Sequence, residues 1–596
     1  MKADVIFYNG EVLAMDGEGP GADVVPRTSV AVKDGTVVFP EDGGWKDLLG
    51  PSTEAVDLKG SAVIPGLVDA HLHPLWGGMT LSGFSLDYEP SDVEGTLERV
   101  RGFLADDTKA SPDDMMTVLC WERHGGADVT AADLDGLGTQ RPVLLLSGDC
   151  HTAVLNRRAM FIYRDFFDGP DPPDGRILRG PSGPNGILED GQAFRLYDAV
   201  SRLELRRSAE TLRRGLRALN RQGVTSVLDA RANRDSMEAA VLLWENDDLT
   251  VRYSGAWEIP PKGRLSSAAA AAEVQDAFQK LRRYRRGQAV HRAEAAAAGK
   301  DGGPAAAVQA LADEGHGPPR PGISMRHIKM FVDGMPGQGT AKLRTPYLAA
   351  RDPGGGTSGV PSGDGTGSAY FDSQTLTGIF KAALELGLHP HCHVIADGAL
   401  DIVLKSVSDI RARFPDRDFR PAAAHLDLAA YDQYARMREL GVAAVLSFQW
   451  AGYEERDLSE ALAMFGPERC EGLETHGKFL DAGVTCAYGS DWPVESLDEW
   501  RNFQVGATRR MAGRSGPGFP RLDNDRDLTI REILFAATRA SAWVLGQEGT
   551  AGRLAPGWPA DLAVVEGPLL SRDPAALKDT RVTRTIVGGR TVWRAD

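Results

Sequence analysis

VIPGLVDAHLHP, residues Val63 to Pro74, carries an apolar run straight into two histidines, His71 and His73, separated by one residue. In a β-strand side chains alternate between faces, so positions i and i+2 point the same way with backbones about 6 to 7 Å apart. Two imidazoles at that separation can grip one metal ion. On a helix the pair would diverge by about 200°, and a helical metal pair is spaced i, i+4 as in HExxH. The stretch therefore predicts a strand and a metal together, and the rest of the chain has to supply further ligands.

Four downstream segments repeat one pattern, an amphipathic helix, a glycine and a short apolar run. They are AETLRRGLRALNRQ, Gly223, VTSVLDA; QTLTGIFKAALEL, Gly387, LHPHCHV; YDQYARMREL, Gly441, VAAVLSFQ; and THGKFLDA, Gly483, VTCAYGSD. In the first, Leu212, Leu216 and Leu219 share one helical stripe, and a glycine just past a helix suits the left-handed conformation there. The apolar runs read as parallel strands buried on both faces, and alternating helix and strand units predict a parallel α/β core. SAVIPGLVDAHLH, LTVRYSGAWEI, MRHIKMFVDG and FRPAAAHLDL bring the strands to eight. No GxGxxG follows a strand, so the count predicts a (β/α)8 TIM barrel over residues 63–549 rather than an open sheet. Barrel sites gather at the C-terminal ends of strands, and His71, His73, Lys329, His393, His425 and Asp491 all fall at or near such ends.

Residues 1–62 and 550–596 read as short strands with Gly or Asp turns that pair into one small β-sandwich domain. Residues 75–205 form an insertion after the first strand, too long for an unstructured loop and expected to cover the site. The Ala-rich and then Gly/Pro-rich stretch 266–322 reads as a surface helix and a mobile linker, and DPGGGTSGVPSGDGTGS, 352–368, as a surface loop or a lid.

With 596 residues, 42% hydrophobic and 25% charged, the chain has the composition of a globular protein with a sizeable core. A net charge of −16 without a basic patch argues against nucleic acid or an anionic membrane as partner. Asp4, Asn9, Glu11 and Asp16 interrupt the N-terminal segment, so neither a signal peptide nor an anchor is expected. The five cysteines are odd in number, scattered and without CxxC spacing, which predicts free thiols and a cytoplasmic setting.

Singly, each further candidate has an ordinary explanation. His393 shares a strand face with His389 and His391, His425 lies on an apolar run, and Asp491 is a natural turn or cap residue. Lys329 is different, because its charge inside an apolar strand is expensive to bury without a partner. Together these residues at the same end of successive strands are hard to explain by packing.

At this point the chain resembles the metal-dependent amidohydrolases, in the YtcJ-like branch also called amidohydrolase family 3. The resemblance rests on IPGLVDAHLHP, DCHTAVLN, GVTSVLDA, IKMFVDGMPGQGTAKLRTPY, HVIADGAL, LSFQ, YGSDWPV and RLAPGWPADLAVVE, in that order over nearly the whole chain. It implies a divalent metal, Zn²⁺ by preference and one or two ions per chain, with His71 and His73 on the first, His393 and His425 on the second, and Asp491 on the first metal and the water. Lys329 matches a lysine that many members carry as a CO₂-derived carbamate bridging two metals; a single metal beside an ordinary Lys329 is the alternative. The activity implied is hydrolysis of an amide-type C–N bond, in an N-acyl or N-formyl amine or a cyclic amide, with Asp491 as general acid and base. His151 and Asn156 of DCHTAVLN, and Gln449 after strand seven, are candidates for the substrate carbonyl and pocket wall, His151 as a catalytic residue. Trp76, Trp121, Trp450 and Trp492 suggest an apolar or aromatic face toward a small-molecule substrate. A homodimer is a further expectation.

The chain departs from the branch where DGMPGQGTA stands for the usual DGSLGSRTA, and HVIADGA for HAIGDxA, which bears on the substrate more than on the metal. Two other readings stand beside hydrolysis. A one-metal heterocycle deaminase usually has Glu three residues after the strand-five histidine, where this chain has Ala396. A metal-free scaffold on the same barrel would have lost ligands, and this chain keeps every one.

Overall fold

The computed structural model describes residues 1–596 apart from 22–25, 42–43, 123–128, 285–319, 349–363, 515–517 and 596. Most of the Gly/Pro-rich linker and residues 352–363 of the lid candidate therefore lie outside the described residues.

Eight parallel strands follow one another in chain order around a nearly closed barrel. They are β1 (Leu67–Leu72), β2 (Val224–Ala232), β3 (Arg252–Glu258), β4 (Ile323–Phe331), β5 (His389–Val394), β6 (Ala422–His425), β7 (Ala443–Leu446) and β8 (Cys486–Tyr488). One cluster joins Val68 and Ala70 of β1, Leu228 of β2, Ala256 of β3, Ala422 and Ala424 of β6, Ala443 and Val445 of β7 and Ala487 of β8. Residues of six strands can meet in this way only if the sheet curls on itself. The seam between β8 and β1 is held by Asp69, whose carboxylate accepts Ser490 N–H at 3.1 Å and Ser490 O–H at 2.5 Å, and by Asp491 N–H donating to His71 C=O at 2.7 Å.

The repeated helix–glycine–strand pattern is built as its residues dictate. Leu212, Leu216 and Leu219 are buried along the helix Leu205–Gln222, and Gly223 ends it at φ +95°, a conformation that costs other residues a Cβ clash. Gly387, Gly441 and Gly483 likewise have positive φ between their helices and β5, β7 and β8. The helix Ser267–Tyr284 buries Ala270, Val274, Ala277 and Leu281 along one face and leaves the other toward solvent, as a surface helix packed on the fold does.

The run expected as one first strand divides at Gly66. Ala62–Pro65 pairs antiparallel with Leu562–Val565 in a second sheet, while Leu67–Leu72 starts the barrel. A Cβ on Gly66 would stand 2.1 Å from Thr225 Oγ1, so the close approach of β2 requires the glycine. The second sheet draws strands from both chain ends, Val5–Val12, Arg27–Lys33, Thr36–Val38, Glu54–Asp57, Leu562–Val565, Val582–Val587 and Arg590–Arg594. Asp561, buried, fixes it to the barrel by accepting Arg252 of β3 at 2.5 and 3.2 Å.

The segment after β1 carries a six-stranded sheet of its own, ordered Gly175–Gly180, Gly183–Asp190, Thr152–Leu155, Val143–Ser147, Met116–Trp121 and Phe84–Ser85. Among the described residues no helix is long and apolar enough to cross a membrane.

Candidate metal centre

Six side chains selected from the sequence, His71, His73, Lys329, His393, His425 and Asp491, line one cavity of about 40 Å³ at the C-terminal end of the barrel. His73 lies just past the end of β1 and begins the helix Pro74–Thr80, so the pair straddles a strand end. The two rings stand 5.8 Å apart between centroids, and both Nε2 atoms approach Asp491 Oδ1, at 3.4 Å from His71 and 3.3 Å from His73. Donor atoms of His71, His425 and Asp491 all lie within 4.8 Å of one another. The His425 ring stands 4.5 Å from that of His393 and 4.7 Å from that of His71.

Several of these atoms are buried without a hydrogen-bond partner: His73 Nδ1, His393 Nε2, His425 Nδ1 and Asp491 Oδ1. Buried polar atoms are nearly always satisfied, so four orphans around one cavity mark a missing partner, and imidazole nitrogen with carboxylate oxygen is the donor set of Zn²⁺ and similar ions. Burial, reinforced by neighbouring cationic groups, holds His71, His393 and His425 well below the ordinary imidazole range. They are therefore neutral, with lone pairs free to ligate. His391, on the same strand as His393, bonds its Nε2 to His71 Nδ1 at 2.8 Å and leaves His71 Nε2 to the cavity. Fixing the far nitrogen of a ligand histidine sets its tautomer and ring angle.

Lys329 is 1% exposed and reaches His71 Nε2 at 3.3 Å, with its Nζ 4.6 Å from the Phe331 ring centroid. Burial lowers its pKa to about 8, against the opposing pull of Asp491.

His151 enters the same cavity from the inserted sheet. Its Nδ1 lies 2.7 Å from Asp190 Oδ1, and Tyr370 O–H donates to Asp190 Oδ2 at 2.8 Å. Burial opposes a charge on His151, but the Asp190 hydrogen bond and charge outweigh it and raise the pKa. Asp190 has φ +53°, Cys150 +61°, His425 +80° and Asp491 +55°. Such conformations cost non-glycine residues about 1 to 3 kcal/mol each and persist where surrounding structure imposes them, often at functional sites.

The remaining candidates divide. Trp76 and Trp450 line the cavity, Trp450 stacked on His425 with centroids 5.3 Å apart. Trp121 faces an adjoining chamber instead, and Trp492 packs against the helix at Gly77 and is not part of the cavity wall. Asn156 is occupied elsewhere: its Oδ1 accepts Val143 and Ala159 N–H at 3.0 Å each, and its Nδ2 donates to Arg141 C=O at 2.9 Å. Gln449 donates to Ser490 C=O at 2.7 Å, bracing the loop before Asp491 rather than lining the cavity.

Arg231 of β2, also in the cavity wall, was not among the candidates. Its guanidinium bonds Asp198 at 3.0 and 2.7 Å, lies 2.7 Å from Glu258, and covers the rings of Trp76 and Phe194. Its signal was available, a charge inside an apolar strand, the same feature that singled out Lys329. Asp190 and Tyr370 gave no such signal, because only folding brings them to His151.

A family model described as the amidohydrolase family matches residues 54–593. The YtcJ protein of Bacillus subtilis is 26% identical over 605 residues, covering 100% of this chain and 99% of its own. N-substituted formamide deformylase of Arthrobacter pascens is 23% identical, covering 98% of this chain and 97% of its own. Among solved structures, an uncharacterized metal-dependent hydrolase from Pyrococcus horikoshii superposes with a TM-score of 0.65 at 20% identity, over 96% of this chain and 99% of its own, a likeness of fold.

Proposed function

The chain belongs to the amidohydrolase family, and on that premise we propose that it is a metal-dependent hydrolase cleaving an amide-type C–N bond, in an N-acyl or N-formyl amine or a cyclic amide. The observation that carries this reading is the set of orphaned buried donors on His73, His393, His425 and Asp491 around one cavity. His71, His73 and Asp491 would hold one ion, Zn²⁺ by their chemistry, and His393 with His425 a second. When bound, such an ion lowers the pKa of water to about 7 and polarises a carbonyl.

The chain's own residues supply the rest. Asp491 accepts the proton of the attacking water on a carboxylate oxygen and returns it to the departing amine nitrogen, work typically worth about 10² to 10⁴ in rate. His151, with Nδ1–H given to Asp190, presents protonated Nε2 to the substrate carbonyl oxygen, where negative charge develops. Trp76, Trp450 and Phe331 surround the site with apolar surface and limit water.

Lys329 suits carbamate formation. At a pKa of about 8 about a quarter of the amine is neutral at pH 7.5, against about one part in a thousand at the ordinary lysine value. The Nζ lone pair attacks CO₂, one C=O π bond becomes a carboxylate, and an N–H proton leaves to solvent, converting a buried cation into an oxygen ligand. All five cysteines are buried and free, which supports a reducing, cytoplasmic setting.

The test is a screen of N-formyl, N-acyl and cyclic amides with metal-reconstituted protein, beside Asp491→Asn. The variant is expected to retain metal by elemental analysis and to lose about 10² to 10⁴ in kcat. A near wild-type kcat in Asp491→Asn removes the assignment, and no hydrolysis of any amide class removes the activity.

A further inference from the structure

The cavity at the metal-ligand candidates is too small for a whole amide. Its volume of about 40 Å³ is roughly a quarter of the about 150 Å³ of a cavity that encloses a benzene ring, room for a formyl or similarly small acyl group. The amine half has to lie outside it. A second chamber of about 470 Å³ adjoins, sharing Asp149 and Met335 as common wall.

That chamber is strongly acidic. Seven carboxylates line it, among them Asp87, Glu89, Glu122, Asp149 and Glu454, with Glu495 pushed up to about 7 by burial, against the guanidiniums of Arg456, Arg501 and Arg514. Arg456 is itself turned to Asp457 at 3.0 Å. The second observation is Gln338, 2% exposed, in the DGMPGQGTA loop where the chain departs from the family pattern. Its Nε2 donates to Thr152 Oγ1 at 3.1 Å and Asp149 Oδ2 at 3.3 Å, while its Oε1 is buried with no donor. A buried acceptor without a donor costs about 1 to 3 kcal/mol, so the wall of the chamber asks for an N–H or O–H group. An acidic lining rejects an anion, and an ammonium or guanidinium supplies both the donor and the charge.

We propose that this chamber binds a cationic group on the amine half of the substrate, so that the enzyme selects small-acyl amides of diamines or guanidino-amines. The inference rests on the amide-hydrolase reading above. Focusing of the potential in an acid-lined cleft raises the local concentration of a cation by about tenfold or more and weakens as salt is added.

The test uses three matched amides with the metal-loaded full chain: N-formyl-1,4-diaminobutane, the neutral N-formylpentylamine and the anionic 4-formamidobutanoate. The cationic amide is expected to exceed the neutral one in kcat/KM by about tenfold at low salt, with the anionic one lowest. Glu122→Gln with Glu454→Gln is expected to shrink the cation-to-neutral ratio several-fold, and Gln338→Met to shrink it as well. Calorimetric binding of the same amides to the full chain, as Asp491→Asn wherever wild type turns them over, separates the two readings. Preferential binding of the cation without turnover supports the chamber and overturns the activity. Turnover without a cation preference, or with a preference that the chamber variants leave intact, overturns the chamber and spares the activity, and binding with neither preference nor turnover overturns both.

Discussion

Replacing Lys329 with methionine is expected to stabilise the metal-free protein while disabling the metal-loaded one. Burial lowers the Lys329 pKa from 10.5 to about 8, and this difference corresponds to about 3 kcal/mol of unfavourable charge burial. The folded pKa lies below the unfolded one, so the penalty is fully present below about pH 8 and disappears as pH rises through 10.5. Methionine fills nearly the same volume without charge, but it removes the partner of His71 Nε2, a loss of about 1 kcal/mol. The net gain is therefore about 2 kcal/mol at pH 7, a rise in Tm of about 1 to 2 °C for cooperative unfolding of a chain this size. Calorimetry on chelator-treated protein measures it, at pH 7 and again near pH 10.5, where the gain should vanish. Adding Zn²⁺ should reverse the order, because a ligand that binds only the folded state stabilises in proportion to its affinity and the variant has lost a ligand group. A variant that melts below wild type at pH 7 without metal, or a gain that persists at pH 10.5, would refute the reading of Lys329 as a buried cation awaiting an ion or CO₂.

Asp190→Asn should lower kcat/KM about 10- to 100-fold and move the alkaline limb of its pH profile to lower pH, because the lost charge no longer raises the His151 pKa. Tyr370→Phe, which removes one bond to Asp190, should move the same limb less; a limb that stays in place in both reduces Asp190 and Tyr370 to braces of His151. His327, buried against Val544 C=O, has its pKa lowered to about 4 by burial. The unfolded chain takes up a proton below pH 6.5 that the native chain refuses, so stability present above pH 6.5 falls by about 3 kcal/mol as pH drops toward 4. His327→Gln should flatten that slope in denaturant titrations at pH 4 to 7, and an unchanged slope would remove His327 as its source.

The barrel was legible because its strands and helices carry local signals. Glycines at positive φ after amphipathic helices, and apolar runs too short for helices, mark β2, β5, β7 and β8 without any tertiary information. The division of the first run at Gly66 was not legible, since apolar residues flank the glycine on both sides. Only the crowding of Gly66 against Thr225, and the pairing of Ala62–Pro65 with the C-terminal strand, sends the two halves to different sheets. Trp121, Asn156 and Trp492 show the same limit: residue type and place in a motif suggested a pocket wall, but which way each side chain turns depends on neighbours distant in sequence.

The sequence by itself determined the eight-stranded parallel core and brought six residues to the C-terminal ends of five of its strands, because side-chain periodicity and helix termination are local. Tertiary structure decided that His71, His73, Lys329, His393, His425 and Asp491 share one small cavity, that His391 holds the far nitrogen of His71, and that Asp190 and Tyr370 stand behind His151. It also set the acidic chamber beside that cavity. The opening HLH pair could announce a metal, since two neighbours on one strand end suffice for that. Its surroundings, which bear on the choice of substrate, come from segments hundreds of residues apart that only packing brings within hydrogen-bond range.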